Sequence, residues 1–274
     1  MKIRRYKLLL SVLCFILTYS SCFANQPKES NVFERTEKYI CRIYVEHELD
    51  GRKIINRGCG IVLRQTIKES VCYFVCTAYH VVEDLLTVRN VGCEIFVSDF
   101  NDIKYWNKNI RAEHIVWRNR EMDAAIIALP KNLFHDPFTE GYEFQGISYV
   151  KTVTTATIGQ EVYMIGYRWH SEKSSTVIFK KGIVSTVTKT LPGYKGHRVF
   201  LVDKMSNKGM SGGLLFTNDG RGIAMISSYI LESDQRLRTS DDLTVCVPLS
   251  VLFKKLKSVI LGNEEEILTL IRKE

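Results

Sequence analysis

Asn207-Lys208-Gly209-Met210-Ser211-Gly212-Gly213-Leu214 sets a serine among glycines, with β-branched and apolar runs on either side, Val199 to Val202 before it and Gly213 to Phe216 after it. Glycines around a serine mark many ordinary turns. The segment gains meaning from two others upstream. Phe74-Val75-Cys76-Thr77-Ala78-Tyr79-His80-Val81-Val82 runs as a strand into a histidine, and Met122-Asp123-Ala124-Ala125-Ile126-Ile127-Ala128-Leu129 opens an apolar run with an acid. Singly, each is an ordinary strand boundary; together, in this order, they point to chemistry.

A serine hydroxyl is a poor nucleophile at neutral pH and needs a base within hydrogen-bond reach, and a neutral imidazole titrates in the right range. A buried carboxylate on the other ring nitrogen fixes the tautomer and stabilises the imidazolium that forms during attack. His80, Asp123 and Ser211 are the candidates for base, orienting acid and nucleophile. Attack on a carbonyl also creates an oxyanion, and one backbone N–H aimed at it is worth about 10²- to 10³-fold in rate. Gly209-Met210-Ser211 is the candidate oxyanion hole: Gly209 admits a backbone that a Cβ would obstruct, so that its N–H and that of Ser211 converge. Gly212 and Gly213 are expected to keep the approach to the serine open.

Outward from these segments the chain is a series of short β-branched and aromatic runs punctuated by Gly, Asn and Asp. They are Tyr39 to Val45, Gly60 to Leu63, Val71 to Thr77, Glu94 to Val97, Ala124 to Leu129, Glu161 to Ile165, Thr176 to Phe179, Gly182 to Thr188, Val199 to Val202, Gly213 to Phe216, Gly222 to Ser227 and Thr244 to Val247. Such spacing predicts an all-β barrel or sandwich. Breaks between Leu133 and Thr155 divide the runs into two sets of similar size. After Pro248, Leu249, Leu252, Leu256, Val259 and Ile260 recur at helical spacing, predicting a packed amphipathic helix. The expected organisation is a signal peptide over 1–24, a polar lead over 25–36, one β-barrel over 37–140, a second over 141–248 and a helix over 249–274.

The 274 residues are 45% hydrophobic and 25% charged, which excludes a disordered chain. Met1 to Lys7 is basic without an acid, Leu8 to Tyr19 is mostly apolar, and Cys22-Phe23-Ala24 ends in small residues. That is the form of a secretory signal cleaved after Ala24; the apolar run is shorter than the roughly 18 to 20 residues needed to span a bilayer. Lipidation at Cys22 is the alternative. No other stretch has transmembrane length, so the product is expected to be exported, periplasmic or secreted. Removing residues 1–24 takes away Lys2, Arg4, Arg5 and Lys7, halving the net charge of +8. The remaining Lys and Arg are scattered among acids rather than gathered in a stripe, so no nucleic-acid role is expected. In an exported chain Cys41, Cys59, Cys72, Cys76, Cys93 and Cys246 permit disulfides, whose pairing the sequence leaves open. Cys72, Cys76 and His80 have zinc-like spacing, but on a strand they spread over about 27 Å, so no metal and no cofactor are expected.

The three chemical segments resemble chymotrypsin-fold, trypsin-like serine proteases: Thr77-Ala78-Tyr79-His80 is similar to their Thr-Ala-x-His, Asp123-Ala124-Ala125 to their Asp-hydrophobic-Ala, and Gly209-Met210-Ser211-Gly212-Gly213 to their Gly-x-Ser-Gly-Gly. Within that family the HtrA/Deg-like branch fits best. Gly58-Cys59-Gly60-Ile61-Val62 resembles its Gly-Ser-Gly strand, Ile165-Gly166-Tyr167 its Gly-x-Pro turn, Gly182-Ile183-Val184-Ser185 its Gly-Ile-Val-Ser strand, and Thr244 to Pro248 the stretch ahead of its closing helix. The resemblance implies two perpendicular six-stranded β-barrels with a C-terminal amphipathic helix, the triad lying in the cleft, and a serine endopeptidase acting on protein or peptide substrates. The chain ends at Glu274, about where a peptide-binding PDZ domain begins in many HtrA proteins, so the likeness is to a member without a PDZ domain. Oligomers occur among HtrA relatives.

Two departures matter. Met210 stands where the family has Asp or Asn, and Leu214 where it has Pro, so a less rigid catalytic loop is expected. A thioether cannot pair with a new N-terminus, which argues against zymogen cleavage. By family analogy Met205 lies near the base of the primary pocket and Ile226, Ser227 and Ser228 line its wall; an uncharged pocket suits a small or medium apolar side chain. Trp169-His170, after the Gly166 turn, lies near the cleft but is not counted among the site residues. The alternative function is a catalytically impaired, protease-like binding or regulatory module. An α/β-hydrolase esterase is excluded, since that fold alternates helices with strands and places its acid after the serine.

Overall fold

The computed structural model describes residues 30–88, 91–99, 102–104, 110–130, 147, 152, 155–171, 174–188, 191, 194, 196–204, 206–227 and 243–272. The signal stretch, most of the expected seam between Leu133 and Thr155, Met205 and Ser228 lie outside them.

Strands β1 (Ile40–Leu49), β2 (Arg52–Ile67), β3 (Ser70–Thr77), β4 (Gly92–Asp99), β5 (Asp102–Lys104), β6 (Ile115–Asn119) and β7 (Ala124–Ala128) form one sheet in the order β5-β4-β1-β2-β3-β7-β6. Strands β8 (Glu161–Trp169), β9 (Ser175–Thr188), β10 (Val199–Val202), β11 (Leu214–Phe216), β12 (Gly222–Ser227) and β13 (Thr244–Pro248) close into a barrel in the order β10-β13-β12-β11-β8-β9. The second half is therefore the six-stranded barrel expected. The first half differs: among the described residues it has seven strands, and its ends β5 and β6 do not pair. The two runs Thr176 to Phe179 and Gly182 to Thr188 merge into β9, because Lys180 and Lys181 stay paired opposite Met164 and Tyr163 of β8.

Period-2 alternation sorts the core into layers. In β2 and β3, Ile61, Leu63, Phe74 and Cys76 face a central cluster that also takes Ile165, Tyr167, Leu214, Phe216 and Val247 from the barrel. Val62 and Val75 face the other way, with Ile43, Val81 and Ile95. One apolar core thus spans both halves and fixes their relation at the line where β2 meets the loop before β11.

Helix α1 (Ser30–Glu37) occupies the end of the expected polar lead. Its Phe33 packs edge-on against Tyr163, Phe179 and Phe216 of the barrel. Two one-turn helices, α2 (Tyr79–Val82) and α3 (Asp84–Thr87), follow β3. The expected single C-terminal helix is two: α4 (Leu249–Gly262) buries Leu249, Leu252, Phe253 and Leu256, and α5 (Glu264–Arg272) buries Ile267, Leu268 and Ile271. Gly262 and Asn263 are poor helix formers, and three acids, Glu264 to Glu266, suit a new N-terminus. Among the described residues no helix is long and apolar enough to cross a membrane.

The expected disulfides are absent: all six cysteines from Cys41 to Cys246 are free and buried. Register accounts for two of the possible pairings. Cys72 and Cys76 lie four residues apart on β3, about 13 Å, beyond bridging distance. Cys41 and Cys59 are neighbours across β1 and β2, but they point into opposite layers.

Candidate active site

The antiparallel register of β3 and β7 places Thr77 opposite Ala125. Residues just past the end of β3 and just before β7 therefore share one edge of the sheet. There α2 carries His80, and Asp123 closes the loop from β6. That loop is held by Asn119 Oδ1 accepting from the Met122 N–H at 2.7 Å and by the Asp123 N–H donating to the Arg120 carbonyl at 3.1 Å. Asp123 sits at φ +50°, a left-handed conformation that costs of order 1 kcal/mol and is concentrated at functional sites.

Asp123 is only 4% exposed. Its carboxylate accepts from the His80 backbone N–H at 3.1 Å, and both its oxygens lie 3.0 Å from His80 Nδ1. Its Oδ2 also accepts from the Ser227 hydroxyl at 2.5 Å. With its proton committed to Asp123, Ser227 Oγ accepts from the Tyr194 hydroxyl, 2.7 Å away. A carboxylate facing Nδ1 puts the imidazole proton on that nitrogen, leaving Nε2 as the basic atom.

Ser211 lies on the loop between β10 and β11, pinned from both halves of the fold. Its carbonyl accepts from the Cys59 N–H of β2 at 2.6 Å. The Gly212 N–H donates to the Ile226 carbonyl, and the Ile226 N–H to the Gly213 carbonyl, both at 2.7 Å. Gly212, at φ +85°, is there for close approach: a Cβ would stand 1.9 Å from the Cys59 carbonyl oxygen. Gly213 is likewise pressed against the Ile165 carbonyl. These two glycines let the serine loop press against its neighbours, rather than opening the path to the serine as expected.

Gly209 has φ +94°, and a Cβ on it would meet Trp169 Cδ1 at 2.6 Å. Its carbonyl accepts from Cys59 Sγ–H at 3.0 Å, and that sulfur accepts in turn from the Tyr167 N–H at 3.2 Å. Burial pushes the Cys59 thiol up to about 12, against the opposing pull of the Tyr167 N–H and the Arg42 cation. Met210 N–H is taken by the Asn207 carbonyl at 3.0 Å, so Met210 is not an oxyanion donor, contrary to its inclusion in that group. Its side chain is fully buried in the barrel core beside Gly166, and its sulfur accepts from the Asn207 N–H at 3.3 Å. The loop is thus anchored through apolar burial where the family pattern has a polar residue.

His80 and Ser211 line one cavity of about 740 Å³, together with Gly209, Ser206, Arg57 and Trp169. Residues 58–225 match the family model for a trypsin-like peptidase domain. The chain belongs to the trypsin-like peptidase family. No curated protein matches it. Among solved structures, this peptidase is similar to Deg5, with 19% identity and a TM-score of 0.55 over 84% of this chain and 94% of Deg5. It is also similar to the HtrA-type protease AlgW in a variant with a tripeptide, with 14% identity and a TM-score of 0.55 over 85% of this chain and 64% of that one. A serine-to-alanine mutant of Rv3671c from M. tuberculosis H37Rv, in an inactive form, has 14% identity and a TM-score of 0.52 over 86% of this chain and 91% of that one. The fold of the peptidase is that of HtrA-type proteases.

Two of the residues expected in the pocket wall lie elsewhere. Ile226 and Ser227 are fully buried and do not line the cavity of the peptidase; Ile226 packs in the barrel core and Ser227 supports Asp123. Met205 and Ser228 fall outside the described residues. Trp169 does line the cavity, whereas the ring of His170 faces Thr176 Oγ1 at 2.7 Å. Ser227 as a carboxylate partner, Tyr194 behind it and Cys59 beneath Gly209 were not foreseen. Only Cys59 left a sequence signal, by standing at the Ser of the family's Gly-Ser-Gly.

Proposed function

We propose that the protein is a serine endopeptidase working through His80, Asp123 and Ser211. The observation that carries this is the buried Asp123 carboxylate on His80 Nδ1, on the same cavity as Ser211. His80 Nε2 takes the proton from Ser211 as its Oγ attacks the scissile carbonyl, and Asp123 stabilises the imidazolium formed. The N–H groups of Gly209 and Ser211 receive the oxyanion. His80 then gives its proton to the departing amine, leaving an acyl-enzyme on Ser211. Water enters, loses a proton to Nε2 and releases the carboxylic acid. Met205, near the base of the primary pocket by family analogy, is an uncharged residue, which supports cleavage after small or medium apolar residues. Export rests on the signal-like residues 1–24.

Incubation with unfolded casein, followed by mass spectrometry of new N-termini, tests this. Cleavage is expected from the wild-type chain and not from Ser211→Ala or His80→Ala. Folded wild-type protein that leaves casein intact, or a Ser211→Ala variant that cuts it equally, would overturn the proposal in favour of a binding module.

A further inference from the structure

The cavity that holds His80 and Ser211 carries a charge pattern that peptide hydrolysis does not itself require. Its charged lining residues are Arg57, Arg168 and Lys208, and no carboxylate lines it among the described residues. The acids that touch lining residues are engaged elsewhere: Asp84 with Asn56 and His47, and Asp123 with His80 and Ser227. Lys180, whose ammonium holds Asn207 Oδ1 at 2.7 Å, stands close enough to Lys204 and Arg168 for both to oppose its protonation, after burial. Like charges gathered around one cavity work against the fold that holds them, while focusing the field on an incoming anion.

Arg57 is the most prepared of these cations. Its guanidinium lies 5.9 Å from the Tyr44 ring centroid and 5.6 Å from that of Trp169, and its Nε is buried without a hydrogen-bond partner. A guanidinium fixed by aromatic faces is suited to bidentate recognition of a carboxylate. Trp169 Nε1 is likewise buried and unpartnered beside it.

The position of the cavity decides which part of a substrate meets these groups. It is walled by the β2 residues Ile55 to Arg57, by Arg168 and Trp169 at the end of β8, and by the serine loop; β12, which runs behind Ser211 to Asp123, contributes nothing. His80, which must protonate the departing amine, opens on this side. We propose that this cavity is the leaving-group subsite and that it selects protein substrates with Asp or Glu in the first residues after the scissile bond. This rests on the peptidase proposal above and adds a substrate class to it.

The test is cleavage of a proteome-derived peptide library, then kcat/KM on quenched peptides sharing one cleaved core and carrying Glu, Ala or Lys at either of the first two positions after the bond, or at mirrored positions before it. An exposed ion pair is worth a factor of about 1.5 to 5, so two together predict a Glu-over-Ala preference of roughly two- to twenty-five-fold. The preference is expected on the leaving side only, falling towards unity in about 0.5 M salt. Arg57→Glu, Arg168→Glu and Lys208→Glu are expected to move the Glu-to-Lys ratio towards Lys, a comparison internal to each variant and independent of its overall rate. No acid preference, an equal one on both sides of the bond, or one unmoved by the three variants would overturn the subsite. If a fluorophosphonate still labels Ser211 in that case, the subsite alone fails; if Ser211 does not react in folded protein, the peptidase proposal fails and the subsite with it.

Discussion

Replacing Cys59 with alanine should uncouple the oxyanion loop from the rest of the fold. The thiol donates to the Gly209 carbonyl and accepts from the Tyr167 N–H, and it is fully buried. Removing it takes a partner from two interior groups at once, at about 1–3 kcal/mol apiece. Sulfur hydrogen bonds lie at the weak end, so the expected loss is about 2–4 kcal/mol, or roughly 5–12 °C in melting temperature for a chain of this size. Freeing the Gly209 carbonyl loosens the Gly209–Met210 peptide that joins the two proposed oxyanion donors, the N–H groups of Gly209 and Ser211, and should also cost activity, up to the roughly 10²-fold of one misdirected donor. Cys59→Ser keeps a donor and an acceptor in place and should stay within about 1 kcal/mol and threefold of wild type. Differential scanning fluorimetry and kcat on a peptide ester read the two effects separately. The reasoning is refuted if Cys59→Ala melts and turns over like wild type. It is also refuted if Cys59→Ser is as damaged as Cys59→Ala, since volume rather than hydrogen bonding would then be responsible.

Asp123→Asn should fold and melt within a few degrees of wild type yet lose on the order of 10⁴ in kcat, because an amide N–H facing Nδ1 forces the proton onto Nε2; a loss below tenfold would contradict the assigned tautomer. Gly212→Ala brings a methyl group to 1.9 Å from the Cys59 carbonyl oxygen at φ +85°, so at least about 4 kcal/mol of stability should go, with soluble yield as the first readout. The buried thiols should resist iodoacetamide at pH 8 in the native protein and react on unfolding. Burial raises Cys41, Cys59, Cys76, Cys93 and Cys246 above their ordinary range. The stability tied to keeping them neutral is therefore complete below about pH 9 and lost as pH rises beyond it, by roughly 1.4 kcal/mol per unit for each thiol; a melting temperature that holds between pH 8 and 11 would count against this.

The candidate chemical residues stand out in the sequence because nucleophile, base and acid each demand one side-chain type, and because glycine is required wherever backbone must approach backbone. Strand positions followed from apolar runs for the same reason. What the sequence hid was mostly a matter of pairing. β6 has a polar end and becomes a strand only as the hairpin partner that delivers Asp123. Val32 and Phe33 are too few to announce α1, which forms against the aromatic cluster of Tyr163, Phe179 and Phe216. Ser227 could be placed near the site by analogy, but the direction of its hydroxyl depends on β12 ending beside a loop from the other half of the chain. Bridges are suggested by an even count in an exported chain, whereas all six described cysteines are free and buried. Met210 shows the same limit: a departure from the family pattern said what was missing and not that a buried thioether would hold the loop.

The most direct test of the central claim is intact-mass and peptide-mass analysis after exposure to a fluorophosphonate at neutral pH. A single adduct on Ser211, abolished by His80→Ala, is the predicted result. An unmodified Ser211 in folded protein, or an adduct that forms equally well without His80, would contradict it.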